Sequence, residues 1–344
     1  METILGIDLP TWWFLVVGGV FSGYAILDGF DLGAGALHLF FKKEESRRIA
    51  LNAIGPVWDG NEVWLVIGGG ALFAGFPVVY ATVFSAFYEL FMVFLVMLIL
   101  RAISIEFRSK EPMKWWRQLW DISYSFASIA IALALGLVLG NVIQGIAVDQ
   151  SYAYRGTLLD FFNPYSLLVA VTTLALFMMH GAIYLVMKTE NRLYAKLTIL
   201  VKNTTIFFVL MFALTSVVTL LFVPHMVARY KEIPYMFGVP LLAIVATANI
   251  TRQISARRYR WAFVSSTLVT ASLMLLVAVG LYPNIMLSTL DARFHLTVFN
   301  GASSPKTLKT LLLIAAIGVP LVATYTAFVF WTFRGKVRLD DSSY

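Results

Sequence analysis

The stretch GPVWDGNEVW, Gly55 to Trp64, runs directly into LVIGGGALFAGF, Leu65 to Phe76, twelve residues without a charge. An acid at the centre of a membrane helix costs on the order of 2.5–3.5 kcal/mol on insertion scales, so Asp59 and Glu62 at the head of such a run require a partner or a proton. The rest of the chain has the same character. Of 344 residues, 60% are hydrophobic and 13% charged, and the mean hydropathy is +0.80. Soluble domains carry roughly 25% charged residues. The composition excludes a soluble globular domain and indicates an all-α polytopic membrane protein, because segments this long and uniformly apolar suit helices and not barrel strands.

Working outward, nine apolar windows are predicted to span: 11–40, 54–76, 78–103, 119–148, 165–188, 199–223, 236–252, 260–282 and 308–333. The first lacks a basic leader and a small-residue cleavage site, so it reads as a retained span. Phe76-Pro77 divides spans two and three, Asn163-Pro164 opens span five, and Tyr282-Pro283-Asn284 closes span eight. The chain reads as one integral membrane domain over 1–344. Its count accommodates a four-helix unit over 1–150, a second over 160–285 and a ninth helix over 305–335.

Basic residues test this count. One set of alternate loops holds Lys42, Lys43, Arg47, Arg48, Arg101, Arg108, Lys110, Lys114, Arg117, Lys188, Arg192, Lys196, Arg252, Arg257, Arg258, Arg260, Arg334, Lys336 and Arg338. The other set holds Arg155, Arg229, Lys231, Arg293 and Lys306. The asymmetry predicts an external N-terminus and a cytoplasmic C-terminus, in keeping with an odd number of spans. The net charge of +7 thus reflects membrane orientation and not a nucleic-acid partner.

Span one ends in GYAILDGFDLGAGAL, which puts Asp28 and Asp31 on one helix face; Asp59 and Glu62 repeat the spacing in span two. At a rise of about 1.5 Å per residue, all four carboxylates fall in the cytoplasmic half. One cluster of four carboxylates at similar depth is expected, part of it protonated, because like charges and desolvation both oppose ionisation. The structural alternatives are that Asp28 caps a helix break beside Gly29 and that Asp59 is an N-cap. Asn61 is expected to satisfy a neighbour's backbone. Trp58 reads as an interfacial belt residue, and Trp64, deeper in, equally as a belt or special-role residue. Glu89 is expected near the middle of span three, where burial demands a partner or a proton. Arg101 and Glu106 are expected to snorkel or pair at a cytoplasmic edge, and Asp121 to be wetted at a span end. Glycines at small-xxx-small spacing, Gly19 with Gly23 and Gly29 with Gly33, predict tight helix packing.

Cysteine is absent, which excludes iron–sulfur clusters and thiolate ligation of haem. His38, His180, His225 and His295 share no helix at ligand spacing, so no metal or haem site of this chain's own is expected. No phosphate-binding loop or nucleophile triad stands in a plausible context. From the residues alone, a proton-coupled secondary transporter is the competing class; it predicts broken helices in inverted repeats.

The motifs GYAILDGFDLGAGAL, GPVWDGNEVWLVIGGGALFAGFPVVYA, EFRSK, GNVIQG, NPYSLL, RWAFVSS and LYPNIMLSTLDARFHLTVFNGASS occur in this order and resemble subunit II of the cytochrome bd quinol oxidases. The resemblance spans nearly the whole chain. It implies a complex of the bacterial or archaeal cytoplasmic membrane that oxidises quinol, reduces O2 to water and draws its protons from the cytoplasm. It implies two haems b and one haem d in a haem-binding subunit I, which also carries the quinol-oxidising loop, and leaves room for small single-helix subunits beside membrane lipid. It implies two four-helix bundles and one extra helix. On the matching positions, Asp59 and Asp31 are associated with a proton path and Trp64 with an apolar O2 route; Asp28, Glu62 and Glu89 are the further candidates. Glu62 stands where the family also has Gln, and the 283–305 loop is too short for an extended quinol loop. The cyanide-insensitive branch of the family shares these motifs.

Overall fold

The computed structural model describes residues 2–232 and 234–339. The side chains of Arg192 and Arg229, both in the basic-residue tally, lie outside the described residues. Among the described residues, twelve α-helices carry the fold: α1 Leu9–Leu37, α2 Glu44–Ile54, α3 Trp58–Gly75, α4 Pro77–Ala86, α5 Tyr88–Phe107, α6 Lys114–Gln144, α7 Pro164–Lys188, α8 Asn191–Phe222, α9 Pro224–Glu232, α10 Gly238–Ser255, α11 Tyr259–Leu281 and α12 Pro305–Thr332. Two short antiparallel hairpins join them at one end, β1 Thr3–Ile4 with β2 Ile7–Asp8, and β3 Asn284–Met286 with β4 Leu296–Thr297.

The proline signals act where the sequence put them. Asn163 caps α7, its Oδ1 accepting from the Ser166 amide at 2.8 Å, and Pro164 takes the first turn, where a missing N–H costs nothing. Pro77 likewise takes the first turn of α4, there without a side-chain cap, and Pro283 follows the end of α11.

Among the described residues, eight helical segments are long and apolar enough to cross a membrane. The 18-residue α3 spans about 27 Å, but its polar head of Asp59, Asn61 and Glu62 holds its hydropathy down. The third expected span is not one helix. It breaks at Phe87, whose backbone leaves the helical region at φ −95°, ψ 22°. The Phe87 ring is fully buried, 4.5 Å from the Phe161 ring, so packing outside the helix holds the break.

The central helices are α1 and α7. α1 packs on α3, α6, α7, α11 and α12, while α7 packs on α6, α8 and α11. Small residues allow this. A Cβ on Gly33 would lie 1.7 Å from the Phe177 carbonyl oxygen, and one on Gly181 would lie 2.4 Å from the Ala34 nitrogen, so the α1 and α7 backbones touch. Gly29 meets the Phe177 ring and Gly23 the Trp64 ring, whereas Gly19 faces open space. α12 lies on the periphery against α1 and α3, and only Leu308 of its side chains is buried.

The helix ends gather into two faces. One carries both hairpins and the 145–163 segment, joined by Ile146 N–H donating to the Leu287 carbonyl at 3.0 Å. The other, the basic end, carries α2, the α5–α6 turn and the C-terminal segment, whose Lys336 donates to the Thr189 carbonyl at 2.8 Å. Arg101 departs from the basic-residue tally. It lies inside α5, fully buried, and not in a loop.

Candidate functional site

The second half of α1 is buried on nearly all sides, so its two acids cannot reach water. Asp28 is fully buried and takes a bidentate ion pair from Arg101 of α5, with Nη1 to Oδ2 at 2.9 Å and Nη2 to Oδ1. Planar fork geometry makes this a strong, oriented contact. Arg101 therefore pairs within the membrane-spanning part and does not snorkel. Glu62 Oε2 stands 4.0 Å from Arg101 Nη1, a looser second carboxylate on the same cation.

Asp31 is held differently. Asn61 Nδ2 donates to its Oδ2 at 2.7 Å and also reaches the Leu27 carbonyl at 3.3 Å, which ties α3 to α1. Asp31 Oδ1 is buried and has no hydrogen-bond partner among the described residues. A buried carboxyl with an amide on one oxygen and nothing on the other lacks the compensation that an anion needs. The site as a whole has more carboxylates than cations.

The expected cluster is thus realised in part. Asp28, Asp31, Asn61 and Glu62 come together, and Asp59 sits at the open edge. Asp59 is exposed on the first turn of α3, where the cap residue is Val57, so it is not the N-cap; an acid in the first turn still interacts favourably with the helix dipole. Asp28 caps no break, because α1 runs unbroken from Leu9 to Leu37. Glu89 is not brought to the cluster. It lies exposed in the first turn of α5, just past the Phe87 break, about 18 Å along the helix from Arg101 at 1.5 Å per residue. Trp58 is buried in the main core and is no belt residue; Trp64 is half-buried against Gly23.

Sequence reasoning missed a second ionic cluster at the basic end. Asp121 is buried on α6 and receives His38 Nε2 at 2.5 Å, Arg108 Nε at 2.6 Å and Arg47 Nη1 at 2.9 Å. Arg108 also donates to Glu44 at 2.9 Å, and Arg117 to the same carboxylate at 3.3 Å. α1, α2, α5 and α6 are pinned together here. Asp121 is not wetted because α2, which the sequence showed only as a polar loop, folds over it. No local signal marked it, since His38 and Arg47 stand 83 and 74 residues from Asp121 in the chain.

Fit to haem was tested on the histidines. His180 donates from Nε2 to the Ile26 carbonyl at 3.0 Å, holds the Ser266 hydroxyl at Nδ1 at 2.7 Å, and stacks on Phe263 with centroids 4.9 Å apart. His38 is fully buried against Asp121 and the edge of Tyr124. His225 donates to the Ile143 carbonyl, and His295 accepts from the Ser288 amide. Both ring nitrogens of His180 are thus engaged, whereas Nδ1 of His38 is buried without a hydrogen-bond partner among the described residues, its ring packed on Tyr124.

The fold and the site define an integral membrane protein of unbroken central helices that keeps an incompletely neutralised carboxylate cluster at the edge of its bundle. The family model for cytochrome bd terminal oxidase subunit II matches residues 9–333. The chain is 30% identical over 360 residues to cytochrome bd-I ubiquinol oxidase subunit 2 of Escherichia coli, covering 96% of this chain and 95% of that protein. It is 31% identical to cytochrome bd ubiquinol oxidase subunit 2 of Bacillus subtilis, over 94% of this chain and 96% of that one. A solved structure of bd oxidase from Geobacillus thermodenitrificans shares the fold, with a TM-score of 0.80 at 17% identity, over 94% of this chain and 98% of that one. The chain belongs to the cytochrome bd terminal oxidase subunit II family.

Proposed function

We propose that this chain is the non-haem subunit of a bd-type quinol:O2 oxidoreductase, and that its carboxylates carry cytoplasmic protons toward a haem-bearing subunit I. One observation carries the reading. Asp59 is exposed and Glu62 partly exposed on α3, beside the exposed apolar Val63 and Val66, a surface that this reading sets at membrane depth. An acid cannot face lipid there, so this face is covered by another protein. The partner is the subunit that holds the two haems b and the haem d and oxidises the quinol; small single-helix subunits can complete the assembly.

In this reading α3 and the paired α4 and α5 are the second and third of nine spans. They form two four-helix units, over 1–150 and 160–285, with a ninth helix over 305–335. The basic end faces the cytoplasm of a bacterial or archaeal cell. Reduction of O2 to water consumes protons, and this chain's part is to deliver them. Asp59 and Glu62 take protons at the basic half of the membrane, and Asp31, the carboxyl without a cation, passes them inward. Asp28 is the fixed ion-pair partner of Arg101. Trp64, packed on Gly23, borders the apolar O2 route. The Glu89 carboxyl belongs to the covered face and not to the relay. The transporter reading expects discontinuous helices at the site, and α1 is continuous through it.

The test is co-purification followed by substitution. The tagged chain brings down a haem-bearing subunit, and Asp59→Asn slows quinol-driven O2 consumption while the haem absorbance per complex stays at the wild-type level. Isolation without a haem protein, or full turnover in the Asp59→Asn complex, refutes the proposal.

A further inference from the structure

Away from the carboxylates, α10 and α11 enclose a groove of about 350 Å³. Its two ends differ chemically. Toward the middle of the helices it is lined by Leu242, Val245 and Leu268, with Ala246 and Ala248 providing the depression. Toward the basic end it is lined by Asn249, Ser265 and Arg252.

The small polar groups at that end are already satisfied. Asn249 Nδ2 donates to Ser265 Oγ at 2.8 Å, Gln253 Nε2 donates to Asn249 Oδ1 at 3.1 Å, and Ser265 Oγ donates to the Trp261 carbonyl at 2.8 Å. Arg252 differs, because no carboxylate lies within ion-pair distance of it among the described residues. Trp261, one helical turn from Ser265, is exposed at 61%, the placement of an interfacial aromatic, which sets this end of the groove at headgroup depth. Arg257, Arg258 and Arg260 follow in the same turn region and keep the potential positive.

An apolar channel ending in a cation at the interface is complementary to one class of membrane molecule. We infer that the groove binds an anionic glycerophospholipid, with its phosphate on Arg252 and an acyl chain along Leu242, Val245 and Leu268. A protein occupant is the weaker match, since the acid-bearing α3 packs on α1, α4 and α12 whereas α10 packs on α8 and α11. The inference needs only the membrane setting and is independent of the oxidase reading.

The test uses the complex purified with its partner subunit in mild detergent. It is incubated with equal amounts of phosphatidylglycerol and phosphatidylcholine and analysed by native mass spectrometry. Phosphatidylglycerol is retained in preference, and Arg252→Gln lowers its retention ~5-fold, the weight of one basic residue near an anionic surface. Ala248→Trp, which fills the groove and leaves the charge, also lowers it, and both variants keep their haem absorbance. Equal retention of the two lipids, or phosphatidylglycerol retention unmoved by either variant, overturns the inference. Displacement of the lipid by millimolar inorganic phosphate also overturns it, by reducing the site to one for free phosphate.

Discussion

Two buried ionic clusters are spaced along α1 and α5, and they are built to opposite rules. Around Asp121, cations surround the carboxylate: His38, Arg47 and Arg108 all reach it, and Arg108 and Arg117 share Glu44. Around Arg101 the surplus is reversed, with Asp28 bound, Glu62 at 4.0 Å and Asp31 left to an amide. A saturated carboxylate holds helices in place. An unsaturated one can change its protonation state, because no cation fixes it as an anion. In the proposed function the same chemistry serves as a clamp at the basic end and as a proton-carrying site deeper in.

Substitutions that break or sharpen this contrast fall in a definite order. The largest effect belongs to Arg101→Gln, which leaves Asp28 as an uncompensated buried charge at a cost of about 3–5 kcal/mol. The complex is then recovered in poor yield with a lowered thermal midpoint, and adding Asp28→Asn restores part of the loss; a single variant of wild-type stability would show that the pair is not the anchor. Next comes Asp31→Asn. It keeps the shape and the Asn61 neighbour, so the complex assembles with its haem spectrum intact. Turnover measured by O2 uptake falls on the order of 100-fold, within the range of a positioned proton-transfer group. Normal turnover would make Asp31 a packing residue like Asp121.

Asp121→Asn is predicted to act on stability alone. Removing the charge from a hydrogen-bonded hub costs about 1–3 kcal/mol, read as faster thermal inactivation at unchanged turnover per assembled complex. A turnover defect at full stability would dissolve the distinction between the two clusters.

The smallest effect comes from the same ion-pair chemistry in water. Asp291 and Arg293 pair at 2.7 Å on the loop after α11, with Arg293 largely exposed and Asp291 partly so. Arg293 holds the Asp291 carboxyl down at about 2. Since the folded value lies below the ordinary carboxylate value, any contribution is complete above that ordinary value and disappears as pH falls toward about 2. Because water screens the pair, that contribution is small, and Asp291→Ala is close to silent in thermal inactivation at neutral pH. A clear loss there would mean that exposure does not separate this pair from the buried ones.

The helices were legible because hydropathy and proline positions are properties of the chain in one dimension. The break at Phe87 was not, since it depends on a ring from the 158–162 turn. Asp28, Asp31, Asp59 and Glu62 were legible as a group from their spacing on two adjacent helices, but the structure leaves Asp59 at the open edge and sets Asn61 on Asp31 in the interior. Their division of labour was hidden, because it turns on Arg101, which reads in the sequence as the start of a cytoplasmic loop.

The sequence by itself determined the membrane setting, the helical class, the polar side chains placed within the spans and the family to which the motifs point. Only the tertiary structure decided which acid receives the guanidinium, which stays uncompensated and which lies on the outer face. Those outcomes depend on how each helix is rotated about its axis against its neighbours. That rotation is set by contacts between distant residues, such as Gly33 with Phe177 and Gly181 with Ala34, and no local pattern along the chain encodes it.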